Sequence, residues 1–405
     1  MQSVRIADSA APHPLLALGL LWLAGAAMRI PLLAVPPVIP LIHDDLHMTE
    51  TEVGLLIGMP LVVFAVAAIP GSLLIARYGA TAIAIVGLFV AAAAAASRAA
   101  APNVWLLYVA TMAMGFGVAI MQPAIPTLVR QWTPQRIGLA TAVSSNGILV
   151  GVAAGPALTI PLVLPLAGQS WRLDLLIWTV PGLITALLFV ALATRLPARS
   201  TMPDATPRRW WPDWTNPLIW LLGLTFGSNN AFYYSVNAFL PDYLTSTGRA
   251  DLIGPALGWM NVSQLIASFV LLATAQRMQR RAWPYLVFGL LPAVGVVGMV
   301  LLDGLWIVAA ASVTGFSLAV TFVMTFALPP TLASPDDVHR LAGGMFAIAY
   351  AIAVIVPVAC GAVWDLTGIP WTAFLPVGLC ALTLTTLGIV LTRRSGASGR
   401  AGNRA

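Results

Sequence analysis

Long apolar runs, separated by short polar segments, account for most of the chain. Twelve such runs are present, with cores at residues 15–41, 51–76, 80–97, 104–129, 138–165, 173–194, 217–244, 254–276, 284–302, 305–332, 342–364 and 371–392. Each run is long enough to cross a bilayer, which takes about 20 mostly apolar residues. Uniform apolarity over that length predicts helices, because a helix satisfies its backbone polar groups within its own segment. The pattern therefore predicts an all-α membrane protein with twelve transmembrane helices.

Composition supports this prediction and excludes other classes of protein. Of the 405 residues, 59% are hydrophobic and only 8% are charged, against roughly 25% charged residues in a typical soluble protein. These values exclude a soluble enzyme, a nucleic-acid-binding protein, a disordered chain and a disulfide-rich secreted scaffold, and they disfavour a transmembrane β-barrel. Cys360 and Cys380 both lie in apolar runs, so we expect no disulfide, no metal site and no cofactor. The first run is too long for the core of a cleavable signal peptide, and we interpret it as the first span.

The arginines predict the orientation of the spans. All 20 basic residues are arginine. If consecutive spans alternate in direction, 16 arginines fall on the side that carries both termini, whereas Arg98, Arg172 and Arg249 fall on the other side. Cytoplasmic loops of membrane proteins are enriched in basic residues, so we expect both termini and the central loop in the cytoplasm. Since the arginines cluster between apolar runs, the expected partner is the lipid bilayer and not nucleic acid.

The longest polar stretch divides the chain into two sets of six runs. It covers residues 196–215 and is rich in proline and arginine. We predict an N-terminal six-helix half at 1–195, a cytoplasmic linker at 196–215 and a C-terminal six-helix half at 216–405. The halves resemble each other weakly, since Arg77 follows the second run and Arg277 follows the eighth. Two such repeats predict rocker-type alternating access, with a substrate site between the halves near the bilayer midplane.

Four segments carry a family resemblance that covers nearly the whole chain. They are MRIPLLAVPPVIPLIHDDLHMTETEVGLL from the first span, GFGVAIMQPAIPTLVRQWTPQRIGLATA around the fourth, FYYSVNAFLPDYL in the seventh, and TFALPPTLASPDDVHRLAGGMFAIAYAIAVIVPVACGAVWDLTG across the tenth and eleventh. With these segments the chain resembles the major facilitator superfamily and, within it, the bacterial cyanate transporters and 2-nitroimidazole exporters. The resemblance implies a monomeric, multi-pass secondary transporter of the bacterial inner membrane that carries a small molecule. Two positions depart from the pattern: Ala76 stands where an Asp is usual, and Gln122 stands where an Asn is expected.

Arg29 is the most informative candidate for a site residue. It lies about 14 residues into the first span, or roughly 21 Å along a helix, which is near the bilayer midplane. A charge at this depth is costly and usually faces the bundle interior or a wet cavity. Several prolines follow it, beginning with Pro31, so we expect the helix to bend or open beyond Arg29. The guanidinium could bind a carboxylate or a linear anion such as cyanate. Alternatively, it could be satisfied by carbonyls that the prolines free, or it could snorkel.

A polar stripe in the seventh span provides the other part of the expected site. Asn230, Tyr233, Tyr234 and Asn237 fall within about 100° of arc on a helix, and polar side chains of a lipid-bound helix face inward. These groups could donate to a small anion or stack on a ring, or they could link helices by hydrogen bonds. The remaining candidates are polar or aromatic residues inside other spans, namely Gln122, Asn146, Asn261, Gln264 and Tyr350.

The spans show no residues typical of a proton relay, ATP hydrolysis or catalysis. The 14 acidic residues and four histidines all lie near loops or span ends, and no Walker-type loop occurs. A membrane-embedded enzyme would need paired carboxylates, or a His–Asp or Ser–Lys set at depth, so an enzyme is disfavoured, as is a channel. We therefore expect a secondary active transporter of a small anion, either cyanate-like or a small carboxylate, with Arg29 as the anion anchor. The alternative is an exporter of small neutral heteroaromatic compounds such as nitroimidazoles.

Overall fold

The computed structural model describes residues 14–48, 50–196, 210–278, 281–334 and 336–401, and this part of the chain is helical without strands. The helices of the first half are α1 (Pro14–Leu33), α2 (Ile39–Leu46), α3 (Glu50–Tyr78), α4 (Ala80–Ala99), α5 (Val104–Met121), α6 (Ala124–Trp132), α7 (Ile137–Leu158), α8 (Leu164–Leu166), α9 (Trp171–Ile177) and α10 (Val180–Leu192). Those of the second half are α11 (Pro217–Ser246), α12 (Ile253–Met278), α13 (Trp283–Leu301), α14 (Leu305–Phe326), α15 (Pro329–Leu332), α16 (Val338–Thr367) and α17 (Leu375–Ala401).

The all-α plan of two six-helix halves is confirmed. Eleven helical stretches in the described residues are long and apolar enough to cross a membrane, several of them made of two consecutive helices. The twelfth long helix, α11, has 30 residues but is less apolar because it carries the polar stripe around Asn230 and Tyr233. The domain bounds remain a prediction, since most of the predicted linker, residues 197–209, lies outside the described residues.

The first span breaks where its prolines predict. Helix α1 contains Pro31 and ends at Leu33, and a short 3₁₀ turn at Pro36–Val38 leads into α2. A proline lacks the N–H that would continue the helix, and it also disfavours helical backbone in the preceding residue. The carbonyl of Pro31 instead accepts a hydrogen bond of 2.8 Å from Nη2 of Arg98.

Arg98 was expected in a loop on the side opposite the termini, but the structure places it within a helix. It lies in the last turn of α4 and is only 1% exposed. Its guanidinium supplies the donor that the broken end of α1 lacks. Arg29 is therefore not the only buried cation of the chain. The sequence also allowed Arg29 to bind a carbonyl freed near Pro31, but the Pro31 carbonyl accepts from Arg98 instead.

Glycines bring α1 and α7 into backbone contact. A Cβ atom at Gly147 would lie 2.1 Å from the carbonyl oxygen of Trp22, and one at Gly151 would lie 2.5 Å from that of Ala26. On the facing helix, a Cβ at Gly25 would lie 2.3 Å from the carbonyl oxygen of Ser144. Small residues allow such close approach in membranes, where packing replaces the hydrophobic drive between helices. The first and fifth spans therefore form a rigid pair behind Arg29.

The two halves are tied together at one end of the bundle, which we call the linker face because Leu196 and Trp210 of the predicted linker lie there. Ser72 of α3 donates to the carbonyl of Trp210 at 2.9 Å, and Arg340 of α16 donates to the carbonyl of Trp211 at 3.0 Å. Arg130 of α6 also donates to the carbonyl of Pro330 at 2.9 Å. These bonds hold α3 and α6 of the first half against α15 and α16 of the second.

At the opposite end, which we call the far face, the observed ties stay within one half. Arg172 pairs with Asp45 and donates to the carbonyl of Ala101 at 2.9 Å, all within the first half. Arg249 pairs with Asp303 at 3.1 Å within the second half. Among the described residues, the polar ties that join the halves through the linker therefore lie at the linker face, and the ion pairs of the far face each stay within one half.

We predict that Gly147→Ala destabilises the protein by about 1–3 kcal/mol, because the added methyl group meets backbone that can yield only if α1 and α7 separate. The matched control is Gly258→Ala in α12, where a Cβ would meet nothing within 4 Å. That change is expected to be neutral or to stabilise by up to about 1 kcal/mol, because alanine is the better helix former. Thermal unfolding of the purified variants measures both effects. Equal melting temperatures for the two variants would contradict the close packing.

Candidate functional site

Arg29 faces the second half of the molecule across the central space. It is 9% exposed, and its Nη2 donates to the hydroxyl of Tyr350 on α16 at 3.0 Å. Its guanidinium carbon also lies 5.8 Å from the ring centroid of Phe64 on α3. No carboxylate contacts Arg29 among the described residues. The cation is held by a neutral hydroxyl and an aromatic face, so no negative charge balances it within the described part of the chain.

Aromatic rings enclose the guanidinium. The rings of Phe64 and Tyr350 meet edge to face with centroids 5.1 Å apart. Tyr233 and Tyr234 of α11 form a second edge-to-face pair at 5.4 Å, and both lie within electrostatic reach of Arg29. Aromatic surfaces of this kind favour both cations and planar ligands. The candidate site is therefore a cation within an aromatic enclosure to which α1, α3, α11 and α16 contribute.

A polar cluster on α11 and α12 extends the site within the second half. The Tyr233 hydroxyl donates to Oδ1 of Asn261 at 2.7 Å, and Nε2 of Gln264 donates to the same oxygen at 3.2 Å. Nδ2 of Asn261 donates to the carbonyl of Leu257 at 2.9 Å, and Nδ2 of Asn237 donates to that of Tyr233 at 2.8 Å. These bonds fix the position of the Tyr233 hydroxyl near Arg29.

Asn230 and Gln122 keep hydrogen-bonding capacity unused. Asn230 is 8% exposed and has no hydrogen-bond partner among the described residues. Gln122 lies at the junction of α5 and α6, is 2% exposed, and its Nε2 is buried without a partner in the described part of the chain. Buried amides normally find partners. Both side chains are therefore available to a ligand or to water.

Asn146 has its amide fully engaged and joins the halves. Its Oδ1 accepts from Nε1 of Trp22 at 2.8 Å, and its Nδ2 donates to Oγ of Ser268 on α12 at 2.8 Å. The chain of bonds runs from α1 through α7 into the second half. Asn146 thus links the two halves by hydrogen bonds, as a polar side chain between membrane helices often does.

Two features of this region were missed from the sequence. Phe64 contacts both Arg29 and Tyr350, yet one phenylalanine in an apolar run gives no signal of its position. Asp174 of α9 was expected near a span end, but it is 0% exposed and neither carboxylate oxygen has a partner among the described residues. Asp174 thus lies near the start of its span, as expected from the sequence, but its complete burial there was not expected.

The groups around Arg29 fit the binding of a small polar ligand. The guanidinium of Arg29, the Tyr350 hydroxyl and the Asn230 amide can donate to an acceptor, and the bonds from the guanidinium are charge-assisted. Arg29 and Tyr350 come from different halves, so a ligand bound between them would contact both.

Comparisons with known proteins match nearly the whole chain. Residues 20–355 match the family described as Major Facilitator Superfamily. The cyanate transport protein CynX of Escherichia coli is 27% identical over 371 residues, which cover 90% of this chain and 95% of that protein. The 2-nitroimidazole transporter of the same species is 22% identical over 378 residues, covering 93% and 94% of the two chains. The resemblance expected from the sequence segments is confirmed.

A solved structure shares the fold. The crystal structure of FucP, a transporter in the outward conformation, superposes with a TM-score of 0.71 at 16% identity, covering 92% of this chain and 98% of that chain. At this identity the likeness concerns the fold alone. The family match extends into both halves and agrees with the twelve-helix plan. The chain therefore belongs to the major facilitator superfamily and is a membrane transporter.

Proposed function

We propose that this transporter carries a small anion, cyanate-like or a small carboxylate, by rocker-type alternating access, with Arg29 as the anion anchor. The proposed location is the bacterial inner membrane, with both termini and the linker in the cytoplasm. The linker face would then be the cytoplasmic side, and the far face would open to the outside. The distribution of arginines and the bacterial relatives support this orientation.

The observation that carries the proposal is the unbalanced charge of Arg29. Its contacts in the described structure are the Tyr350 hydroxyl and the Phe64 ring, both neutral. A buried guanidinium without an anion is unfavourable, whereas a paired and hydrogen-bonded one is tolerated. A mobile anion would complete the site when the transporter is loaded. The guanidinium offers several donors in a planar fork, of which Tyr350 occupies one.

Donors from the second half would hold the same anion from the other side. The Tyr350 hydroxyl accepts from Arg29 and keeps its own proton for a ligand, and Asn230 has free amide groups. The Tyr233 hydroxyl donates its proton to Asn261 and would offer the ligand only its oxygen. A ligand held between Arg29 and these groups gains contacts as the halves approach. Binding energy that increases on closure favours the change of conformation that alternating access requires.

A second candidate substrate is a small neutral heteroaromatic compound such as a nitroimidazole. The specific observation in its favour is the enclosure of four rings, from Phe64, Tyr233, Tyr234 and Tyr350. A planar ring could stack there, while Arg29 donates to a neutral acceptor group. The similarity to a 2-nitroimidazole transporter also supports this candidate.

We predict that Arg29→Gln weakens cyanate binding by about 10- to 100-fold, because a hydrogen bond to a charged group contributes about 1.5–3 kcal/mol. Arg29→Lys keeps the charge but loses the planar fork, so its affinity should lie between those of the wild type and the Gln variant. Isothermal titration of monodisperse protein in detergent measures the affinities. The control is Arg195→Gln, which changes an exposed arginine at the linker face and should leave binding unchanged. Wild-type affinity of Arg29→Gln would exclude the anion anchor.

We predict that Phe64→Leu distinguishes the two candidate substrates. Loss of the ring removes stacking worth about 0.5–1.5 kcal/mol, so binding of 2-nitroimidazole should weaken by about 2- to 10-fold. Cyanate binding should change less, because its main partner is the guanidinium. Phe288→Leu, in a pair with Phe316 at 6.0 Å in the second half, is the control for a general loss of packing. Equal loss for both ligands would leave Phe64 without a role in discrimination.

We predict that a disulfide at the linker face stops transport reversibly. A Cβ at Gly343 of α16 would lie 3.1 Å from Cβ of Ser72 on α3, close to the Cβ separation of about 3.8 Å in disulfides. The Ser72→Cys and Gly343→Cys pair, in a background without Cys360 and Cys380, should cross-link on oxidation and hold this face closed. Cyanate counterflow in proteoliposomes should fall on oxidation and recover on reduction, while each single variant stays insensitive. Full cross-linking without loss of counterflow would contradict rocking about this face.

A further inference from the structure

The exposed surface beside Arg29 is aromatic. Phe64 and Tyr350, which contact the guanidinium, are each only 1% exposed. The rings of Tyr233 and Tyr234 remain half-buried and meet each other at an angle of 68°. Both tyrosines lie within electrostatic reach of Arg29. Phe64 and Tyr350 therefore close the site behind the cation, and the rings that a ligand can cover in this conformation are the two tyrosines of α11.

Free hydrogen-bond donors lie along the same surface. Nε and Nη1 of Arg29 have no hydrogen-bond partner among the described residues and, unlike Nε of Arg98, they are not fully buried. The Tyr234 hydroxyl is also without a partner in the described part of the chain. Asn230, whose amide is free, precedes Tyr234 by about one helical turn and so shares its face of α11. The surface thus combines donors for one anionic group with flat rings.

The site holds a single positive charge. Among the described residues, Arg29 is the one cation within electrostatic reach of Tyr233 and Tyr234. Arg98, the other arginine buried in the described ranges, donates to the Pro31 carbonyl at 2.8 Å. A ligand with two negative charges would leave one of them without a cation, which is unfavourable away from water. The charge of the site therefore matches a monoanion.

Each candidate substrate considered above uses one part of this surface. A cyanate-like or small aliphatic anion balances the guanidinium but leaves the tyrosine rings uncovered, whereas a neutral ring covers the tyrosines and leaves the charge unbalanced. We propose that the preferred substrate is a planar aromatic monoanion, that is, an aromatic ring joined directly to one carboxylate. The proposal rests on the proposed function, because it assigns this ligand to the same anion anchor, Arg29.

An aromatic carboxylate matches each feature of the site. Tyr350 uses one of the two hydrogens on Nη2 of Arg29, so one bidentate edge of the planar guanidinium stays free for the carboxylate. The ring would extend from the guanidinium along Tyr233 and Tyr234, where offset or edge-to-face contacts stabilise it. Conjugation keeps the carboxylate and the ring in one plane, so the ligand loses little conformational freedom on binding. A saturated acid of similar size has a puckered ring and gains less from flat tyrosine surfaces.

The first test compares matched small ligands by isothermal titration of the full-length protein in detergent. Benzoate should bind about 10- to 100-fold more tightly than benzamide, which has the same ring but no charge. It should bind about 2- to 10-fold more tightly than cyclohexanecarboxylate, which has the same charge but no flat ring, and more tightly than the dianion terephthalate. Equal affinities for benzoate and benzamide, or for benzoate and cyclohexanecarboxylate, would overturn the proposal.

The second test assigns each preference to its residue. Arg29→Gln should remove most of the preference for benzoate over benzamide. Tyr234→Leu should bring the affinities for benzoate and cyclohexanecarboxylate close together, whereas Tyr234→Phe keeps the ring and should keep their ratio. Ratios within one variant are compared, so a general loss of affinity does not imitate the result. A wild-type ratio in folded Tyr234→Leu would overturn the ring contact, and if that variant does not fold, the ligand series on the wild type decides.

The failure of this proposal differs from the failure of the proposed function. If cyanate binds through Arg29 while benzoate binds no better than cyclohexanecarboxylate, the anion anchor stands and the aromatic preference is overturned. If benzoate binds with the expected ratios and cyanate does not bind, the aromatic preference stands and the cyanate-like substrate is excluded. If neither anion binds to the wild type, both proposals are overturned.

Discussion

A guanidinium in the middle of a membrane-spanning bundle must find its partners within the protein or in a wet cavity, because lipid offers none. Arg29 imposes this constraint here, and the partners that it meets come from both halves of the molecule. Its donor reaches Tyr350 on α16, and its face lies over Phe64 on α3. The position of the charge therefore requires the two halves to share one polar region. It also leaves the positive charge unbalanced within the described contacts, which is the basis of the proposed anion site.

The surrounding helices make that position rigid in ways specific to membranes. Backbone contact between α1 and α7 depends on Gly147 and Gly151, where a side chain would meet carbonyl oxygens. The broken end of α1 depends on Arg98, whose guanidinium takes the carbonyl of Pro31, two residues beyond Arg29. The two buried arginines thus have different kinds of partner. Arg98 donates to backbone at the end of α1, whereas Arg29 is held by side chains and is the residue for which an anion partner is proposed.

The span pattern could be predicted from the sequence because lipid forces uniform apolarity on each helix, and the break after Arg29 followed from Pro31. Contacts between spans could not be predicted in the same way, since they depend on which faces of two distant helices meet. Phe64 illustrates this limit, because nothing in an apolar run marks the one ring that approaches a cation. Asp174 illustrates another: a residue four positions into a helix was assigned to the water-exposed end, yet packing from α4 and the far-face turns buries it completely.

The ties at the linker face are weak enough to be overcome by substrate binding. Ser72, Arg130 and Arg340 each donate to a backbone carbonyl across that face. Such bonds contribute about 0.5–1.5 kcal/mol from a neutral donor and about 1.5–3 kcal/mol from a charged one. Reversing a conformational equilibrium from 1:99 to 99:1 takes about 5.5 kcal/mol of differential affinity, whereas binding at micromolar affinity releases about 8 kcal/mol in total. A small ligand that contacts both halves can therefore supply the energy that opens this face, provided that most of its contacts form as the far face closes.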